Sequence, residues 1–171
     1  MDQLHDLANN LYYDHEYKDA INIYKSLIDN NYKKDIMYSN CAACYLKLKE
    51  YKKSLDYSLQ AVEINMNYSR AWGRVGYSYK GLKMESNASK AFEIANKLDK
   101  NNENYKNEVK FYFDKLSNKI NITNIFSLLK NNNNLFNKLK ELKSEIINSS
   151  PEKMFDNSNI KNFMKSVIEH L

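Results

Sequence analysis

Three stretches of this chain carry the same alternation of small and bulky residues, each displaced by 34 positions from the last. In that register Ala8, Ala42 and Gly76 coincide as small residues, and Leu11, Tyr45 and Tyr79 coincide as large ones. Ala20, Ser54 and Ala88 match further on, as do Leu27, Ala61 and Ala95, and Leu4, Tyr38 and Trp72 also align. Small residues let two helices approach closely, while large ones fill the space between successive copies. One antiparallel helix pair cannot bury its apolar face alone, but three stacked copies can. The pattern predicts inner helices at about 2–14, 36–48 and 70–82, and outer helices at about 17–30, 51–64 and 85–98.

The composition agrees with an all-helical chain. Only three Gly and one Pro occur in 171 residues, too few for a set of tight hairpins or a Gly-rich phosphate loop. No apolar run approaches the roughly 18 residues of a membrane span. The opening MDQLHDLANN is acidic and polar where a secretory leader is basic and then apolar. A cytoplasmic protein without membrane insertion is expected. The net charge of +5 is dispersed: residues 1–118 hold 18 Lys/Arg against 16 Asp/Glu, and residues 119–171 hold 8 against 5. A nucleic-acid partner would call for a concentrated basic face, so none is expected. Cys41 and Cys44 form a C-x-x-C inside a helical run, without the preceding strand of a redox site or the further ligands of a zinc site. They read as core filler, and neither a metal nor a cofactor is expected. His15 falls in a predicted turn and His170 at the chain's end, so no histidine pairs with a nucleophile or carboxylate as catalysis requires. The chain reads as a binder and not an enzyme.

Tyr105, Val109, Tyr112 and Leu116 fall at i, i+4, i+7 and i+11, an apolar stripe suited to covering the open end of a repeat array, and predict a capping helix over about 103–118. Beyond it the period breaks. Ile125, Phe126, Leu128 and Leu129 form a short apolar patch before the run Asn131 to Asn134, which reads as compositional bias. Leu135, Leu139, Leu142 and Ile146 mark another helix, Pro151 interrupts, and Ile160, Phe163, Met164, Val167, Ile168 and Leu171 form an amphipathic stripe. That apolar face is expected to pack locally, or to serve hydrophobic clients or self-association. Two regions are therefore expected: 1–118, with three repeats and a cap, and 119–171, a C-terminal group of short amphipathic helices.

The inner helices of such a stack line a concave surface, and residues four apart on one helix face the same way. His5 and Asn9 stand four apart on the first, Asn40 lies on the second, and Arg70 and Arg74 stand four apart on the third. All five are hydrogen-bond donors. A peptide's terminal carboxylate needs several donors converging from different directions, each charge-assisted bond contributing roughly 1.5–3 kcal/mol. Tyr12, Ala43 and Lys47 continue the same faces: Ala43 leaves room for an apolar side chain, and Lys47 can meet an acidic one.

In period and offsets the repeats resemble the tetratricopeptide family, which implies a right-handed superhelix of repeats at roughly 1–34, 35–68 and 69–102. The Pro common near the end of that family's repeats is replaced by Tyr32, Met66 and Lys100, so the turns are expected to rely on Asn and Asp. The five donors resemble the carboxylate clamp of chaperone-binding tetratricopeptide domains, where Lys, Asn, Asn, Lys and Arg take these places. Asn9, Asn40 and Arg74 match in kind, Arg70 keeps the charge of a Lys, and His5 stands where the other Lys would be. That resemblance implies binding of the Glu-Glu-Val-Asp tails of the cytosolic seventy- and ninety-kilodalton heat-shock chaperones. The passages NYSRAWGRVGYSYKGL and NNENYKNEVK are similar to the small glutamine-rich tetratricopeptide co-chaperones, which implies a C-terminal segment engaging hydrophobic clients such as tail-anchored proteins. The alternative is a repeat receptor or assembly scaffold for a non-chaperone partner.

Overall fold

A computed structural model describes residues 1–119, 130–148 and 157–168, without the side chains of 116–119, 143–148, 161, 164 and 168. Among the described residues it is all-α: α1 (Asp2–Tyr13), α2 (Tyr17–Asp29), α3 (Lys34–Lys47), α4 (Tyr51–Ile64), α5 (Ser69–Gly81), α6 (Glu85–Leu98), α7 (Glu103–Lys119), α8 (Asn133–Asn148) and α9 (Ser158–Ile168). The chain divides into two compact units, Met1–Phe113 and Asp114–Leu171, with the division inside α7.

In the first unit each helix packs on the next from α1 through α6, and inner helix α3 also packs directly on inner helix α5. The small residues of the 34-residue register make this possible. Ala8, Ala42, Ala20, Ser54, Ala88, Leu27, Ala61 and Ala95 are completely buried. A Cβ added to Gly76 would approach the Phe92 ring to 2.7 Å, so that position holds α5 against α6 only as glycine. Phe92 is itself wholly buried, a burial that stabilises the fold by roughly 1.5–3 kcal/mol. At the open end of the array Tyr105 and Tyr112 of α7 are buried with Ala88, Phe92 and Ala95, and Val109 packs beside them. Cys41 and Cys44 are free thiols buried in the core. One register position departs from its equivalents. Tyr38 and Trp72 are partly buried, but Leu4 on α1 is 42% exposed.

The turn inside each repeat is built by a residue in the left-handed region, at the same 34-residue spacing: His15 (φ 67), Lys49 (φ 59) and Lys83 (φ 60). In each case the following amide reaches back to close the inner helix: Glu16 N–H to Leu11 O at 2.8 Å, Glu50 N–H to Tyr45 O at 2.9 Å, Met84 N–H to Tyr79 O at 2.9 Å. These are Schellman closures, made here without the glycine that usually occupies the left-handed position. The turns between repeats use Asn and Asp as expected: Asn65 donates to Asp35 at 2.9 Å and accepts from the Asn67 amide, and Asn102 accepts from the Asn104 amide.

In the second unit Leu135 of α8 packs against Phe163 and Val167 of α9, with Leu139 and Leu142 alongside. Ile125, Phe126, Leu128, Leu129, Pro151, His170 and Leu171 lie outside the described residues, as do the side chains of Leu116, Ile146, Met164 and Ile168. No helix among the described residues is long and apolar enough to cross a membrane.

Candidate functional site

A groove of about 580 Å³ opens on the inner face of the first unit, within the size range of sites that hold small or extended ligands. α5 supplies one wall. Its residues Arg70, Arg74, Tyr77 and Gly81 recur at i, i+4, i+7 and i+11, so one helical face presents them all, with Gly73 and Lys80 beside them. The opposite wall is Ala43, Leu46 and Lys47 of α3, with Tyr51 at the start of α4; Tyr12 of α1 and Tyr105 of α7 complete the lining. Lys47, Arg70, Arg74 and Lys80 bring four cations to the groove, of which Lys80 is paired with Glu108 of α7, and no carboxylate is among the described lining residues. The potential inside is therefore positive, and the groove's aromatic walls of lower dielectric strengthen it.

Glycines let the aromatic walls come close. A Cβ on Gly73 would come to 2.5 Å from the Tyr105 ring, and one on Gly81 to 2.2 Å from the Tyr51 ring. Both rings thus lie directly on the α5 backbone.

Arg74 sits at the centre of this arrangement. Its Nη1 donates to the Arg70 carbonyl at 3.1 Å, while its Nε is sealed from water and has no hydrogen-bond partner. Burial pushes the guanidinium below the usual arginine range, opposed by the nearby phenols of Tyr68, Tyr105 and Tyr12. Behind it, the Ser54 and Ser78 hydroxyls lie 2.7 Å apart, the first within 2.9 Å of the Ala42 carbonyl and the second within 2.7 Å of the Arg74 carbonyl. Both serines are fully buried, and this polar chain ties α3, α4 and α5 together beneath the groove.

Of the eight residues singled out from the sequence, Tyr12, Ala43, Lys47, Arg70 and Arg74 come together in this groove. His5, Asn9 and Asn40 are half-buried on the inner helices α1 and α3 and do not line it. The Asn9 Oδ1 accepts the Tyr24 hydroxyl proton at 2.7 Å, an orientation that leaves its two Nδ2 N–H groups for donation. The His5 ring packs between Tyr24 and Tyr32, with centroids 6.4 and 6.0 Å away. Sequence reasoning missed Leu46, Tyr51, Gly73, Tyr77, Lys80, Gly81 and Tyr105. Tyr77 and Gly81 were within reach, since they extend the Arg70–Arg74 spacing along the same helical face. Tyr105 was read for its apolar stripe alone.

No family model matches the chain. A heat shock protein sti1 homologue from Schizosaccharomyces pombe is 32% identical over 95 residues, which cover 56% of this chain and 16% of that protein. The small glutamine-rich tetratricopeptide repeat-containing protein of Dictyostelium discoideum is 30% identical over 91 residues, 53% of this chain and 27% of that one. The chain thus spans well under half the length of the curated relatives it matches. Among solved structures, the first repeat domain of Spaghetti (RPAP3), bound to the HSP90 peptide SRMEEVD, is similar at a TM-score of 0.63 and 25% identity, covering 67% of this chain and 90% of that one. The second repeat domain of human RPAP3, in complex with the HSP70 peptide SGPTIEEVD, gives a TM-score of 0.59 at 25% identity, covering 63% and 89%. Three helical repeats with small residues at 34-residue spacing, closed by a capping helix, make the first unit a tetratricopeptide-repeat domain, similar to those of Sti1-type proteins and RPAP3.

Proposed function

We propose that this chain is a co-chaperone adaptor module whose groove binds the acidic C-terminal tail of heat-shock chaperones, with the terminal carboxylate held by Arg74 and Arg70 in the groove and by Asn9, Asn40 and His5, which lie outside its lining on the same inner helices as Tyr12 and Ala43. The single observation that carries the reading is a groove with no carboxylate among its described lining residues, where Lys47, Arg70 and Arg74 stand without an ion-pair partner among the described residues and one buried guanidinium N–H is left unpartnered. An extended peptide ending in acidic residues supplies the acceptors that this lining lacks. Similar domains bound to SRMEEVD and SGPTIEEVD support the choice of ligand. Lys47 and Tyr12 would flank the last peptide residues, and Ala43 leaves space for an apolar one. The donors are mounted on packed helices, so little ordering is needed on the protein side and binding energy is not spent on it. The role is binding and not catalysis, and a cytoplasmic setting fits such partners. Hydrophobic clients would call on the second unit, where Leu135, Phe163 and Val167 already bury one another, so the proposal is confined to the groove.

The test is calorimetric titration with SRMEEVD and SGPTIEEVD, each as free acid and as C-terminal amide. Saturable binding of the acids with a loss of tenfold or more on amidation is expected. Equal binding of acid and amide would reject the clamp, and absence of binding to either acid would favour a scaffold for a non-chaperone partner.

A further inference from the structure

In the first and third repeats the inner and outer helices meet at the same pair of register positions. The third makes the contact with two rings: Tyr77 of α5 lies edge-to-face on the wholly buried Phe92 of α6, with centroids 4.8 Å apart. Two 34-residue periods earlier, the same places hold Asn9 of α1 and Tyr24 of α2. There the contact is a hydrogen bond, the Tyr24 hydroxyl donating to Asn9 Oδ1 at 2.7 Å. The middle repeat has Ala43 and Ser58, whose hydroxyl turns back to the Leu55 carbonyl of its own helix at 3.0 Å. Tyr24 is 2% exposed, in the core cluster that contains Ala20, Leu27 and Met37. Phe92 shows that an aromatic ring alone satisfies the packing at this place. The Tyr24 hydroxyl is therefore not needed for the stack, and it bonds to a residue of the proposed clamp.

A phenol has one proton to give, and a buried one needs an acceptor. Burial pushes the Tyr24 pKa above the usual phenol value, so the group keeps that proton. Among the described residues, Asn9 Oδ1 is the hydroxyl's only hydrogen-bond partner. Turning the Asn9 amide over would set an N–H against the hydroxyl and leave the phenol proton buried without an acceptor. The bond thus fixes the amide with its oxygen toward α2 and both Nδ2 N–H groups left over for another acceptor. The ring itself does something separate: it stands edge-to-face to His5, with centroids 6.4 Å apart.

We infer that Tyr24, which does not line the groove, is a positioning residue for peptide binding: its hydroxyl holds the Asn9 amide in the orientation that offers N–H donors to a terminal carboxylate. The inference rests on the peptide-binding reading in which Asn9 is a clamp donor, and adds to it a part played by an outer helix. A primary amide presents a carboxylate with donors on one side and a repelling oxygen on the other. An amide free to turn over binds in only part of its orientations, and setting it beforehand removes that cost from binding.

The experiment is a double-mutant cycle, read by calorimetric titration of SRMEEVD as free acid and as amide. It uses the wild type, Tyr24→Phe, Asn9→Ala and Tyr24→Phe/Asn9→Ala. Tyr24→Phe keeps a ring against His5 and installs the residue that the third repeat already buries, so the fold should survive, as circular dichroism would show. Its affinity for the acid should fall by about threefold to tenfold, the cost of ordering one polar side chain on binding. In the Asn9→Ala background the same change should alter affinity by less than about 1.5-fold. A hydroxyl that merely steadied the scaffold would weaken binding equally in both backgrounds. That result would overturn the inference, as would a Tyr24→Phe protein that binds as the wild type does. A second measurement needs no variant. Nitrogen relaxation of the Asn9 side-chain amide should show it as rigid in the free wild type as with peptide bound, and an amide ordered only by the peptide would refute the positioning role. If Asn9→Ala binds as the wild type does, the inference falls while groove binding stands. If the wild type does not bind the acid, or binds the amide equally, the peptide-binding reading has failed and takes the inference with it.

Discussion

Replacing Arg74 by Met should move stability and binding in opposite directions. The Arg74 side chain is half-buried at the groove, desolvation holds its pKa down, its sealed Nε–H has no acceptor, and its one hydrogen bond goes to the Arg70 carbonyl of its own helix. A buried donor left unmade costs about 1–3 kcal/mol, more when the group is charged, and a hydrophobic residue of similar length in place of a poorly compensated buried charge is neutral or stabilising. Loss of the weak 3.1 Å bond takes back about 1 kcal/mol at most. The ligand-free Arg74→Met protein should therefore be more stable by about 1–2 kcal/mol, a rise of roughly 4–8 °C in melting temperature for a unit of this size. The same protein should lose roughly 1.5–3 kcal/mol of peptide binding, a factor of about 10 to 150 in dissociation constant. Thermal melts with and without saturating peptide read both terms: the variant melts higher alone and gains less from ligand. A variant that melts lower in the absence of peptide would refute the claim that Arg74 is held in an unsatisfied state for the sake of a ligand.

The remaining predictions concern the scaffold. Lys49→Gly and Lys83→Gly should each stabilise the fold by about 0.5–1 kcal/mol, read from urea midpoints, because the left-handed conformation costs a side chain more than glycine's extra chain entropy. A loss of stability at both sites would contradict the turn geometry. Burial pushes the Cys41 thiol up and the Cys44 thiol up to about 12. A raised thiol pKa favours the folded state only while the unfolded thiol also stays protonated. That stability is whole below about pH 8.5 and falls as pH rises from there toward 12. Urea midpoints should decline over that window, and Cys41→Ala/Cys44→Ala should flatten the decline; an unchanged slope would remove the thiols as its cause. For the same reason neither thiol should react with iodoacetamide in the folded protein.

The helices were legible because their packing repeats. Ala8, Ala42 and Gly76 must be small in every copy, since each inner helix meets the next outer one at that point, and a property required three times over stands out in a single chain. The left-handed turn residues were not legible. His15, Lys49 and Lys83 carry no glycine signal, and their conformation is imposed by helices already packed on either side. The same division runs through the groove. Arg70 and Arg74 share a helical face by spacing alone, so they could be paired from sequence. Tyr105 enters through contact with Gly73, from a helix whose apolar stripe gave every reason to place it purely in the core. The ion pair of Lys80 with Glu108 joins residues 28 apart on different helices, and no local pattern announces it.

The measurement closest to the central claim follows the side-chain N–H groups themselves. In isotope-labelled protein, the guanidinium signals of Arg70 and Arg74 and the amide signals of Asn9 and Asn40 should all shift as free-acid SRMEEVD is added, fit one dissociation constant, and stay still with the amidated peptide. Arginine signals that move while those of Asn9 and Asn40 do not would contradict a clamp drawn from three helices.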